Sequence, residues 1–262
     1  MPPAGSTPAD PTLITSRDNA LLKELRRLAQ DSTAYRRQGQ LWLEGDHLCR
    51  AALARGFRPR MAVFSATGWP LARTEWGDCA ECTVLVADAL FSGISGLESP
   101  AQMGFVMALP APSALVRDAP SVILDRLQDA GNVGSILRSA AAFGFRQVLA
   151  LKGTAALWSP KVLRAGMGAH FSLQLLEGLE TAQLDAFDVP WLVTSSHAGE
   201  LLQRATLPWP CAWVLGHEGQ GISAPLAARA ALQIRIGQPG GEESLNVAAA
   251  AAICLHASAA GR

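Results

Sequence analysis

The chain carries no charge excess. Its 22 lysines and arginines balance 22 aspartates and glutamates over 262 residues. A coat of positive charge is therefore excluded, although a local basic face is not. Disulfide logic is also missing. Cys49, Cys79, Cys82, Cys211 and Cys254 are an odd, scattered set, which predicts reduced thiols in a cytoplasm. Cys79 and Cys82 form a single C-x-x-C without a second pair, and the histidines have no ligand-like spacing, so no metal is expected. No apolar run approaches the roughly 18 residues needed to span a bilayer, and no membrane partner is expected. The first residues lack a basic start followed by an apolar stretch, so they do not predict a signal peptide. A G-x-G-x-x-G turn after a first strand is absent, which argues against a dinucleotide site. Nor is there a convincing serine or cysteine nucleophile motif.

What is present is a globular composition, 49% apolar and 17% charged, on a chain long enough for one large or two smaller α/β domains. Residues 1–11 read as a disordered tail. Residues 15–30 predict an amphipathic helix with Leu21, Leu22, Leu25 and Leu28 on one face and Ser16 as its cap. Strand-like runs at 41–43, 61–65, 83–87 and 105–109, with a helical pattern at 46–55, predict a small α/β domain over 12–109. Residues 110–120 read as a linker from their prolines. Over 121–262, near-continuous apolar strands are expected at 121–124, 148–151, 191–195, 212–215 and 233–236. Helices are expected at 133–143, 160–168, 224–231 and 245–258. That pattern predicts a doubly wound parallel sheet.

Charge is uneven along the chain. Between Ser16 and Arg60 there are ten lysines and arginines, among them Arg17, Arg26, Arg27, Arg36 and Arg37, against five acids. This basic N-terminal stretch fits a polyanion partner.

Three glycine-rich turns follow predicted strands, where ligands of such sheets gather. Asp129-Ala130-Gly131-Asn132-Val133-Gly134 leads to Arg138. Leu215-Gly216-His217-Glu218-Gly219-Gln220-Gly221 is the second. The third runs from Ile236 through Gly237 to Gly241 and ends in Ser244-Leu245-Asn246-Val247. Ser244 and Asn246 stand where a loop turns into an apolar helix, and burying such groups without partners costs about 1–3 kcal/mol each. Gly216, Gly219, Gly221, Gly240 and Gly241 let a backbone approach a ligand closely. Leu215, Ile236 and Leu245 are candidates for an adenine-type pocket or for core. The other histidines, His170, His197, His217 and His256, read as ordinary residues.

With these turns in hand, residues 120–258 resemble the SpoU (TrmH) family of RNA ribose 2′-O-methyltransferases. The three turns, in order, look like its three motifs, and Ser159-Pro160-Lys161-Val162-Leu163-Arg164-Ala165-Gly166 also matches. The N-terminal half is more loosely similar to the ribosomal-protein-L30-like substrate-binding domain of that family. The resemblance implies S-adenosylmethionine as methyl donor, structured RNA as substrate (ribosomal RNA first, transfer RNA second) and a homodimer. It also implies a trefoil-knotted C-terminal sheet, which nothing in composition or periodicity shows.

The resemblance further assigns roles. Arg138 contacts RNA phosphate and activates the 2′-hydroxyl electrostatically, since a guanidinium rarely releases its proton. Asn132 holds the turn and orients Arg138 or the nucleotide. Glu218 fixes Arg138 or neighbouring backbone amides. Ser244 and Asn246 contact ribose, cofactor or loop backbone. Leu215, Gly216, Glu218, Gly219, Gly221, Ile236, Ser244, Leu245 and Asn246 form the cofactor site, and Arg164 joins the RNA contacts. The chain departs from the pattern at several points. His217 replaces a usual asparagine, Ala130 a frequent proline and Gly166 a frequent serine, and Gly237-Gln238 replaces Pro-Met. The altered third turn leaves an alternative open, a non-catalytic RNA-binding or ribosome-assembly factor on the same fold.

Overall fold

A computed structural model describes residues 11–95, 97, 99–195, 198–240 and 244–260. The tail expected over 1–11 falls outside them except for Pro11, as do Gly241 and His197. Two compact units are present, residues 1–109 and 110–262.

The first unit runs β1 (Thr12–Ile14), α1 (Ala20–Gln30), α2 (Ala34–Gln38), β2 (Gln40–Glu44), α3 (Asp46–Ala54), β3 (Met61–Ser65), α4 (Trp69–Trp76), β4 (Cys82–Val86), α5 (Asp88–Phe91) and β5 (Met103–Ala108). Its sheet has the order β1-β4-β3-β5-β2. Strands β1, β4 and β3 are parallel, and β5 runs antiparallel to both β3 and β2. Helix α1 buries Leu22, Leu25, Leu28 and Ala29. These join Trp42, Val63, Val84 and Val106 in one core.

The helix starts later than the sequence predicts. Asn19, not Ser16, is its cap, and the Asn19 side chain accepts from the amides of Leu21 (2.9 Å) and Leu22 (3.4 Å). Ser16 instead closes a turn by accepting from the Asp18 amide at 3.2 Å. Strand β1 has three residues and one buried side chain, too few to give a period.

The second unit runs β6 (Ser121–Asp125), α6 (Ala130–Ala142), β7 (Gln147–Leu151), α7 (Pro160–Gly166), β8 (Gln174–Leu179), β9 (Trp191–Thr194), β10 (Glu200–Leu201), β11 (Ala212–Gly216), α8 (Ala224–Ala227), β12 (Leu232–Arg235) and α9 (Val247–Ala260). The sheet order is β10-β12-β9-β11-β6-β7-β8, and every pairing is parallel. Strands β6 and β7 are buried at all five positions, as expected for strands covered on both faces.

Edge strands β8 and β10 were not predicted. One is half-buried except at exposed Gly178 and the other has two residues. Part of the proline-rich 110–120 stretch is tied to this unit. Buried Gln147 exchanges hydrogen bonds with the Val116 backbone, and Arg117 pairs with Asp188. Helix α9 is anchored by Ala251, Cys254 and Leu255. It is also held by Ser258, whose hydroxyl accepts from the indole N–H of fully buried Trp213 at 2.9 Å.

Candidate active site

Strands β6, β11, β9 and β12 are neighbours, so the loops at their carboxyl ends lie side by side. The loop after β6 ends in Asp129, which caps α6 by accepting from the Asn132 amide at 2.7 Å. After β11 the chain folds sharply at Gly216. A Cβ there would lie 2.3 Å from Gly221 C and Ile222 N, so only glycine fits. His217 closes this loop. Its carbonyl accepts from the Gly221 amide at 2.8 Å, and its Nδ1 accepts from the amides of Gly219 (3.0 Å) and Gln220 (3.3 Å). This ring nitrogen acts as a turn cap, much as an asparagine oxygen does. The expectation of an ordinary His217 is corrected here.

The folded loop presents Glu218 to the first turn. One carboxylate oxygen accepts from the Asp129 amide and from Asn132 Nδ2, both at 3.2 Å, and the other accepts from the Gln128 amide at 3.3 Å. Asn132 Oδ1 in turn accepts from Asn246 Nδ2 at 2.9 Å. Asn246 Oδ1 caps α9 by accepting from the amides of Ala248 (2.9 Å) and Ala249 (3.2 Å). Three turns far apart in sequence are thus joined by one polar chain. Burial pushes the Glu218 carboxyl up. Hydrogen bonds from its own amide, Asn132, Gln128 and Asp129 outweigh this and hold it below the usual carboxylate range, so it is ionised.

A second network braces the same loops. Asp125, 2% exposed, accepts from the Ser223 amide at 2.6 Å and from Arg126 Nε at 2.9 Å. Burial raises its carboxyl, but the bond from Arg126 and those from Ser223 prevail and lower it. Arg126 also reaches Gln220 Oε1 at 3.0 Å. It does so from a left-handed backbone, φ 61°, a conformation that a non-glycine residue holds only when its surroundings impose it.

These loops enclose a cavity of about 380 Å³, within the range of cofactor sites. Of the expected cofactor residues, Gly216, Glu218, Gly221, Ile236, Ser244, Leu245 and Asn246 line it. Leu215 is core, 1% exposed, and Gly219 sits on the outer turn of the loop. Asn132 reaches the site through Glu218 and Asn246. Glu218 fixes backbone amides rather than Arg138. Arg138 is exposed on α6 and outside the lining, with no hydrogen-bond or ion-pair partner among the described residues.

The sequence reading missed Thr194, Ser195, Ile222, Gln238, Val247 and Ala250 in the lining. The signal for Thr194 and Ser195 was their place at the end of a predicted strand. The Oε1 of Gln238 is buried and has no hydrogen-bond partner among the described residues. The polar chain through Glu218 and Asn246, apolar Ile236 and Leu245 and the unmatched Gln238 acceptor together fit a nucleoside carrying a charged tail.

Of the expected RNA-contacting arginines, Arg17 and Arg27 are exposed. Arg26 donates to the Gly93 carbonyl at 3.2 Å, and Arg37 pairs with Asp31 at 2.6 Å. Arg36 donates to the Tyr35 hydroxyl and lies over its ring. Arg164 is half-buried on α7. Among the described residues, no group of three His, Cys, Asp or Glu could hold a metal ion.

An all-parallel sheet with a ligand cavity across the ends of three adjacent strands, β12, β9 and β11, defines a doubly wound, cofactor-dependent class of protein. Within that class the chain belongs to the SpoU rRNA methylase family, whose sequence profile matches residues 119–256. It is 34% identical to an uncharacterised tRNA/rRNA methyltransferase of Synechocystis, covering 95% of this chain and 93% of that one. It is 30% identical to the 23S rRNA (guanosine(2553)-2′-O)-methyltransferase RlmP of Bacillus subtilis, covering 93% and 97%. The fold matches that of the SpoU methyltransferase AviRb from Streptomyces viridochromogenes, solved with the cofactor AdoMet. There the TM-score is 0.80 at 21% identity, over 92% of this chain and 97% of that one.

Proposed function

We propose that this protein transfers a methyl group from S-adenosylmethionine to a ribose 2′-hydroxyl of structured RNA, with ribosomal RNA as the first candidate and transfer RNA as the second. The observation that carries this is the hydrogen-bonded chain Glu218–Asn132–Asn246, which ties all three family motifs to one cavity. When bound, S-adenosylmethionine supplies an electrophilic methyl group on a sulfonium.

The residues of the chain do the rest. Ionised Glu218 fixes the β6 and β11 loops in register. Asn132 and Asn246 lock the entry to α9. Ser244 and Asn246 face the cavity and orient ribose or the cofactor tail. Positioning of this kind can contribute up to about 7–11 kcal/mol to a displacement. Arg138, exposed and without a side-chain partner among the described residues, is available to an RNA phosphate. Its permanent charge stabilises the developing alkoxide while the hydroxyl proton passes to solvent.

The finer architecture belongs to the same reading. A trefoil knot is supported by the course of the chain. Strand β12 pairs with β9, yet α9 packs on α6 and β11, so the segment between them returns across the sheet. A homodimer is supported by α9, which has no charged residue and leaves Ala249, Ile253 and His256 exposed. The mixed sheet and basic helices of the first unit support an L30-like domain that grips RNA through Arg17, Arg26, Arg27, Arg36 and Arg37, with Arg164 contributing from the second unit. Free cysteines support a cytoplasmic setting, and no helix among the described residues is long and apolar enough to cross a membrane.

Two measurements test the reading. Calorimetry with S-adenosylmethionine should show binding, and 2′-O-methyl mapping of total RNA should lose a site in cells lacking the protein. No binding at millimolar cofactor, with all RNA sites retained, would instead establish the non-catalytic RNA-binding factor.

A further inference from the structure

The third motif loop carries Gln238 where the family usually places a methionine, and the structure gives this replacement a use. Gln238 lines the cavity two residues after Ile236. Its Oε1 is sealed from solvent and accepts no hydrogen bond from the described residues. A buried amide oxygen left this way is costly, and such groups in native structures call for an unseen partner. A methionine at this position would bury a thioether at no such cost.

The cavity lining is mixed in chemistry. Glu218 and Asn246 supply polar and anionic groups, which suit a cationic, hydrogen-bonding tail. Gln238 shares the cavity with the apolar side chains of Ile236, Ile222 and Leu245, which suit the flat face of a purine. A lone acceptor beside an apolar slot selects a ring bearing an N–H donor. We propose that Gln238 is a specificity-determining residue of the cofactor site, and that its side-chain oxygen accepts a hydrogen bond from the exocyclic amine of the adenine.

This inference rests on the methyltransferase reading, and its test separates the two. S-adenosylhomocysteine and S-inosylhomocysteine differ at the purine 6-position, where the second offers a carbonyl in place of the amine. Calorimetry on the full-length protein should show the inosyl compound binding on the order of a hundredfold more weakly, because two acceptors then face each other. Gln238→Met, the residue usual in the family, should narrow that ratio by about tenfold or more. Gln238→Glu, which keeps an acceptor, should preserve it. A deaminated homocysteine-tail analogue should lose the same factor in the wild type and in Gln238→Met.

If Gln238→Met instead keeps the full adenine preference, or if its effect appears only with the tail analogue, the assignment is overturned and the cofactor reading survives. If folded wild-type protein binds none of the three compounds, both fall.

Discussion

In the second unit, the polar side chains of the site meet across loops distant in sequence; in the first, Arg36 and Arg37 find partners close to home, although Arg26 reaches the Gly93 carbonyl. Glu218 bonds to Asn132, and Asn132 to Asn246, across three loops. Arg37 pairs with Asp31 six residues away, and Arg36 lies on the ring of its neighbour Tyr35. Long-range polar contacts require the whole sheet to be in register, so they hold atoms to a fraction of an ångström, as a displacement reaction needs. Local pairs on exposed helices are weak and screened by salt. They leave side chains able to adapt to a phosphate backbone. On the proposed reading, the two units divide chemistry from grip.

The sharpest way to break this division is at Arg138, a basic residue placed in the second unit. Arg138→Ala should lower turnover by more than about a hundredfold, on the scale of a lost transition-state charge contact. Cofactor affinity by calorimetry should stay within about twofold. Near-normal turnover would remove Arg138 from the reaction.

Acid should separate the units next. His170 is fully buried, its Nε2 bonds the Leu157 carbonyl at 2.9 Å and its Nδ1 has no hydrogen-bond partner. Burial lowers its pKa to about 4, opposed only by the Leu157 bond. The unfolded chain takes up this proton near 6.5. Between those values unfolding binds a proton. The stabilisation is therefore complete above about pH 6.5 and declines as pH falls toward 4, by up to about 3 kcal/mol. Scanning calorimetry should show acid shifting the transition of the second unit far more than that of the first, and His170→Gln should flatten the difference. Equal shifts in both units would refute the assignment.

The fold was legible where burial was two-sided. Strands β6, β7 and β11 are long apolar runs, and the glycine turns after them marked the site. Edge strands β8 and β10 carried no such pattern, because half-buried positions mix polar and apolar residues. Motif spacing picked out Glu218, Asn132 and Asn246. It could not say that Glu218 holds backbone amides rather than Arg138, since that depends on how α6 is rotated. The capping role of His217 was hidden because a histidine acceptor mimics asparagine only in one tautomer and one loop geometry. Arg126 was invisible as well. Its left-handed backbone and its reach to Gln220 are properties of the folded loop.

A smaller effect is expected at Asn246, which both caps α9 and bonds Asn132. Asn246→Ala should destabilise the second unit by about 1–2 kcal/mol, the usual value of a cap. Turnover should fall by more than cofactor affinity, because the ribose side of the cavity loses its orientation. Asn246→Asp keeps the cap oxygen but removes the donor to Asn132. It should restore most of the stability and little of the turnover. If both variants lose stability and turnover in parallel, Asn246 serves only as a helix cap.

The smallest effects belong to the first unit. Arg17 and Arg27 are exposed and make no ion pair among the described residues, so each can offer its whole charge to RNA. Arg17→Ala or Arg27→Ala should weaken RNA binding only about two- to fivefold at moderate salt. Each should reduce the slope of log affinity against log salt by about 0.7–0.9. Turnover at saturating RNA should not change. Arg37→Ala should do less, since Asp31 already neutralises that guanidinium. A drop in turnover at saturating RNA from either exposed arginine would mean that the first unit shapes the reaction as well as holding the substrate.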